Sequence, residues 1–156
     1  MAGKKIVIGA DHGGYLVKER LKKELARSGY SVIDVGAGEC ESADYPVYGF
    51  EVARNVSAGK ASRGIAICKS GIGMSIIANK LPGVRAGMCT SVGDAVSSRQ
   101  HNDANVLVLA AAKNGPDEAV RIMKSWLKTR SLKGRHARRV EQIKEYENKV
   151  FRKRTA

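Results

Sequence analysis

An α/β fold is predicted for this chain: a three-layer α/β/α sandwich on a doubly wound, five-stranded parallel sheet of Rossmann-like type, with an extra C-terminal helix. Three observations carry the prediction. Short apolar runs and helix-period segments alternate along the 156 residues. The run Gly64-Ile65-Ala66-Ile67-Cys68 is apolar throughout, the pattern of a strand covered on both faces. Five such runs separated by helices favour a parallel sheet with helices packed on either side.

The elements follow in order. Ile6-Val7-Ile8 is the first strand, and Val17, Leu21 and Leu25 mark one face of a helix that closes at Gly29. Val32 to Val35 is the second strand. Asp44-Tyr45-Pro46 opens a helix, because Pro in the first turn gives up an N–H that has no partner there. That helix buries Val52, Ala53 and Val56 and stops at Gly59. Ile65-Ala66-Ile67 is the third strand, followed by a glycine loop and a short helix through Ile76, Ile77 and Lys80. Pro82-Gly83 turns the chain into a fourth strand, Val84 to Met88. Ser91 and Asp94 have capping-box spacing for a fourth helix. Val106 to Leu109 is the fifth strand. Pro116 starts a helix with Ala119, Ile122, Met123, Trp126 and Leu127 on one stripe, which makes Trp126 core. The last helix, from about residue 136, has only Val140, Ile143, Tyr146 and Val150 as its apolar stripe. So narrow a stripe suits docking on another subunit as well as on its own core.

The length suits a single domain over 1–156, with the basic segment from about 150 expected to fray. No apolar run approaches the ~20 residues of a membrane span, and Met1-Ala2-Gly3-Lys4-Lys5 leads straight into a strand, so neither a membrane nor a secretory leader is expected. Cys40, Cys68 and Cys89 are an odd set without C-x-x-C spacing. That pattern predicts neither a disulfide framework nor a zinc site, and a reducing cytoplasm. The net charge is +13, and from residue 111 onward fourteen Lys and Arg stand against five Asp and Glu. A surplus of this kind fits nucleic acid, an acidic surface or small anionic substrates.

Four polar clusters interrupt the apolar pattern. In Cys68-Lys69-Ser70-Gly71-Ile72-Gly73, a thiol stands before a glycine loop whose N–H groups can face an anion. Such a thiol can move a proton beside a developing oxyanion, whereas Cys40 and Cys89 have no comparable setting. Gly9-Ala10-Asp11-His12-Gly13-Gly14 is a turn and cap, or an anion approach to the first helix; it lacks dinucleotide G-x-G-x-x-G spacing. Ser98-Arg99-Gln100-His101-Asn102-Asp103-Ala104-Asn105 contains a histidine suited to proton transfer, or to a helix C-terminus. Arg135 and Arg139 lie one turn apart, a pair suited to phosphate or simply a solvated face.

Together with Ala78-Asn79-Lys80 and Gly134-Arg135-His136, these motifs resemble the family of ribose-5-phosphate isomerase type B, which includes the galactose-6-phosphate isomerase subunits. The resemblance covers nearly the whole chain. It implies a cofactor-free, metal-free aldose–ketose isomerase acting through a cis-enediolate. On this pattern His101 opens the sugar ring with help from Asp11, and Cys68 carries the proton between C2 and C1. Ser70 and the N–H groups of Gly71, Ile72 and Gly73 hold the enediolate oxygen. Tyr45 and Asn102 contact sugar hydroxyls, while His12, Arg135 and Arg139 hold the phosphate. The site is then assembled from two subunits of a homodimer, two of which can pair as a tetramer.

Two positions depart from the family pattern. Lys69 replaces a small Gly, and is expected to point to solvent rather than act on the thiol. Lys113 stands where relatives carry a phosphate-holding arginine; it keeps the charge without the bidentate fork. Ribose 5-phosphate is the leading substrate on this resemblance, with galactose 6-phosphate, allose 6-phosphate or a tetrose phosphate as alternatives. A nucleic-acid-binding module is the competing class. It is disfavoured because aromatics are only 5% of the chain and none interleaves Arg135 to Arg139. A catalytically silent subunit is disfavoured by the presence of Cys68, His101 and both arginines in one chain.

Overall fold

In the computed structural model, which describes residues 4–39 and 42–155, the five apolar runs become parallel strands in the order β2-β1-β3-β5-β4. The strands are β1 Lys5–Ala10, β2 Ser31–Asp34, β3 Arg63–Cys68, β4 Ala86–Met88 and β5 Val106–Ala110. The helices are α1 Tyr15–Arg27, α2 Tyr45–Ser57, α3 Ile72–Ala78, α4 Val92–Asn102, α5 Pro116–Lys128 and α6 Arg135–Thr155. Cys40 lies outside the described residues.

Strand alternation divides the core in two. Ile6, Ile8, Ile65, Ile67, Leu107 and Leu109 face α1, α4 and α5, where Trp126 is fully buried. Val7, Ala66, Val106 and Val108 face α2 and α3, packing on Val52, Val56 and Met74. The three central strands are buried on both faces, which is why they read as unbroken apolar runs. Helix α6 lies outside this sandwich against α4 and buries Val140, whereas Ile143, Tyr146 and Val150 remain exposed.

Element ends that differ from the sequence reading have identifiable side-chain causes. β4 begins at Ala86 rather than Val84 because the Asn105 side chain accepts the Arg85 N–H at 2.8 Å. α3 ends at Ala78 because the Asn79 side chain turns to the backbone of Ala86, accepting its N–H at 2.8 Å and donating to its carbonyl at 3.0 Å. At α4 the Ser91 hydroxyl accepts the Asp94 N–H at 3.0 Å as expected, but Asp94 returns the bond to the N–H of Thr90 at 2.9 Å. α6 extends through Thr155.

Candidate functional site

β1 and β3 are neighbours, yet the chain leaves β1 toward α1 on one face and β3 toward α3 on the other. Their carboxyl ends therefore diverge and open the crevice where ligands bind in such sheets. A cavity of about 400 Å³ occupies this place, lined by Asp11, Tyr45, Cys68, Ser70 and Gly73, with exposed Lys69 and Lys113 also on its wall. β5 reinforces it, as Ala111 and Ala112 donate N–H groups to the carbonyls of Cys68 at 2.9 Å and Lys69 at 3.0 Å.

Cys68 ends β3 and is 4% exposed. Its Sγ accepts the N–H of Gly71 at 3.2 Å. That bond requires the loop to double back, and Gly71 makes the turn at φ 75°, a region that favours glycine. The Ser70 hydroxyl accepts the Ile72 N–H at 3.3 Å. Two N–H groups of the glycine loop are thus directed at the thiol and at the hydroxyl.

Asp11 extends β1 by donating its N–H to the Ile67 carbonyl at 3.3 Å. Its carboxylate accepts the Gly14 N–H at 3.2 Å and caps a 3-10 turn over His12–Gly14. Asp11 is thus a cap, and it also lines the cavity. Tyr45 stands at the first turn of α2 with its ring against the Gly73 backbone; a Cβ on Gly73 would lie 2.5–2.9 Å from three ring carbons. His12 is exposed, and its Nδ1 accepts the Ala43 N–H at 3.2 Å. That bond leaves Nε2 as the position available to a ligand.

His101 and Asn102 are the last residues of α4, both exposed. The His101 ring stacks on that of His136, with centroids 4.4 Å apart and planes 12° from parallel. Arg135 and Arg139 are exposed on the first turns of α6 beside this pair. Partial desolvation, then the positive charges of His101, Arg135 and Arg139, hold His136 below the ordinary imidazole value.

The two groups of residues do not meet in one chain. His101, Asn102, Arg135 and Arg139 line no part of the Cys68 cavity. The reason is topological. A crossover helix starts at the carboxyl end of one strand and returns to the amino end of the next, so the C-terminal end of α4 lies at the opposite edge of the sheet from Cys68. β5 alone, five residues at ~3.3 Å each, separates those edges by roughly 15 Å. Within one chain, therefore, the thiol and the imidazole do not share a cavity. Among the described residues, no three His, Cys, Asp or Glu side chains converge as a metal-binding group, and no helix is long and apolar enough to cross a membrane.

Comparison with known proteins agrees with this architecture. The family model described as Ribose/Galactose Isomerase matches residues 6–143. Ribose-5-phosphate isomerase B of Escherichia coli (strain K12) is 43% identical over 140 residues, covering 90% of this chain and 94% of the relative. The solved structure of ribose-5-phosphate isomerase B from Clostridium thermocellum is 49% identical, with TM-score 0.90 over 94% of this chain and 99% of the other. That of the Mycoplasma genitalium enzyme with bound ribulose 5-phosphate is 34% identical, with TM-score 0.91 over 95% and 99%.

Proposed function

This chain belongs to the Ribose/Galactose Isomerase family, and from that premise we propose that it interconverts D-ribose 5-phosphate and D-ribulose 5-phosphate. The chain is a sugar-phosphate isomerase; the sugar and the roles of individual residues are inferred. Supporting the sugar are the names of the relatives and the ribulose 5-phosphate bound to one of them. The observation that carries the mechanism is the Cys68 thiol on the wall of the switch-point cavity, with the Gly71 N–H directed at its sulfur.

Isomerisation moves one proton between adjacent carbons and leaves charge on oxygen in between. Cys68 takes the proton from C2 of the open-chain aldose and returns it to C1. The hydroxyl of Ser70 and the N–H groups of Gly71, Ile72 and Gly73 hold the enediolate oxygen, which is worth ~3–4 kcal/mol per well-placed donor. Tyr45 and Asn102 orient the sugar hydroxyls. His101 opens the ring, with Asp11 handling the ring-oxygen proton. His12, Arg135, Arg139 and Lys113 hold the phosphate, a remote anchor whose binding energy fixes the reacting carbons.

The working unit is a homodimer in which the amino edge of one sheet supplies His101, Asn102, Arg135 and Arg139 to the Cys68 cavity of the other. Supporting this are the separation of the two half-sites and the exposed Ile143, Tyr146 and Val150 on α6. The free thiols of Cys68 and Cys89 fit a cytoplasmic setting.

Cys68→Ser is the direct test. It lowers kcat by roughly 10²–10⁴-fold while the circular dichroism spectrum is retained; a fully active variant rejects the mechanism. Ranking tetrose, pentose and hexose phosphates by kcat/KM tests the choice of sugar. Mixing inactive Cys68→Ser and His101→Asn chains tests the shared site. Random pairing makes half the dimers mixed, each with one intact site, so about a quarter of wild-type activity returns. No recovery after subunit exchange rejects the shared site.

A further inference from the structure

We propose that Asp103 is a positioning residue for the ring-opening step, holding the His101–Asn102 end of α4 through Arg85 and Arg99. Asp103 is the only described non-glycine residue with positive φ, at φ 45° and ψ 45°, where it terminates α4. Gly makes such a turn most readily and Asp is among the few other residues that tolerate it. The carboxylate does more here than make the turn, because both of its oxygens are engaged by arginines.

Its contacts are specific. One carboxylate oxygen accepts from Arg99 Nη1 at 2.8 Å and the other from Arg85 Nη2 at 3.2 Å. Arg85 Nε also donates to the Asn102 and Asp103 carbonyls, both at 3.1 Å. Arg99 is buried, donates to the carbonyls of Ala104 at 2.6 Å and Thr129 at 3.2 Å, and lies over the Trp126 ring. The brace thus runs from the α5 core through Arg99 and Asp103 to Arg85 before β4, and it grips the carbonyl of Asn102 directly. Within Ser98–Asn105 the polar residues divide into two kinds: Arg99, Asp103 and Asn105 are tied down, whereas His101 and Asn102 are left exposed at the held end.

The inference rests on the isomerase reading above, and its test separates the two. Ribulose 5-phosphate cannot close a five-membered ring, because its 5-hydroxyl carries the phosphate. Exchange of its C1 proton with D₂O therefore needs Cys68 but not ring opening, whereas isomerisation of ribose 5-phosphate needs both. Asp103→Gly keeps a residue content with positive φ. It lowers kcat for isomerisation about tenfold or more and lowers C1 exchange, which feels only the displaced Asn102, by clearly less, about threefold. Arg85→Met, which spares the Arg99–Asp103 pair, produces the same split to a smaller degree. Asp103→Asn, which tolerates the turn and retains an acceptor, restores isomerisation. Parallel loss of both reactions in both variants makes the brace merely structural and overturns the proposal, as does retention of both. A wild-type protein that performs neither reaction overturns the isomerase reading instead.

Discussion

Gly73→Ala separates the two requirements that meet at this residue. Gly73 is the second residue of α3 and also lies against the Tyr45 ring. Alanine improves helix propensity by up to ~1 kcal/mol. The new Cβ, however, would stand 2.5 Å from one ring carbon and 2.6 Å from another, against the ~3.5 Å at which carbon contacts become favourable. The ring must therefore retreat by about 1 Å. Tyr45 is 41% exposed, so it can swing toward solvent rather than strain the core, and stability stays within ~1 kcal/mol of wild type. Activity does not escape so easily, since a 1 Å misplacement of a positioning group costs up to ~10²-fold. The assay is a double-mutant cycle with Tyr45→Ala, reading kcat/KM for ribose 5-phosphate alongside Tm. The expected result is a loss of about 10–10²-fold for Gly73→Ala alone and less than about threefold in the Tyr45→Ala background. Equal losses in the two backgrounds would refute the reasoning and assign the cost to the methyl group in the cavity itself.

Three further outcomes are expected. Gly14→Ala places a Cβ 2.8–3.0 Å from Ile67 Cγ2, the Ile67 carbonyl oxygen and Ala10 Cβ; these neighbours are buried and cannot yield, so urea denaturation records a loss of about 1–3 kcal/mol. By proton NMR, His136 titrates below the ordinary value of 6.5, so its neutral form is the stabilising one and protonation is resisted as pH falls; Arg139→Ala raises the midpoint, and an unmoved midpoint contradicts the assignment. Burial alone would raise the Asp34 pKa, but bonds from Lys18, Lys22 and the Gly36 N–H outweigh it and hold the carboxyl below 3.8. Its contribution is complete above that value and is lost as pH falls through the lowered one; Lys18→Met costs about 1.5–3 kcal/mol at neutral pH and flattens the acid limb of the stability profile.

The layers of the fold were legible because strands buried on both faces advertise themselves. Ile65 to Cys68 and Val106 to Leu109 contain no polar residue, and the α5 stripe through Trp126 is unambiguous. Element ends were less legible, since side chains elsewhere in sequence decide them: Asn105 determines where β4 begins, and Asn79 where α3 stops. The residues lining the Cys68 cavity were legible as candidates because most of them, Tyr45 excepted, stand at or just after strand ends. The role of Asp103 could not, because aspartate in a left-handed turn looks like any polar loop residue until Arg85 and Arg99 are seen to close on it.

The position of His101 follows from the topology of the sheet. A polar cluster beside an apolar strand looks like a site in sequence, whichever end of the strand it adjoins. In a parallel sheet the two ends differ: residues after a strand lie at the ligand-binding edge, and residues before it lie at the other. Cys68 follows β3 and His101 precedes β5, so no side-chain rotation unites them. In the proposed dimer a twofold axis resolves this, because an isologous pair that brings the amino edge of one sheet to the carboxyl edge of its partner must do the reverse as well. Two complete sites then form together, and a dissociated chain retains half of each. Activity in such an enzyme falls with dilution through the dimer dissociation constant, and an active monomer would be incompatible with the topology of the chain.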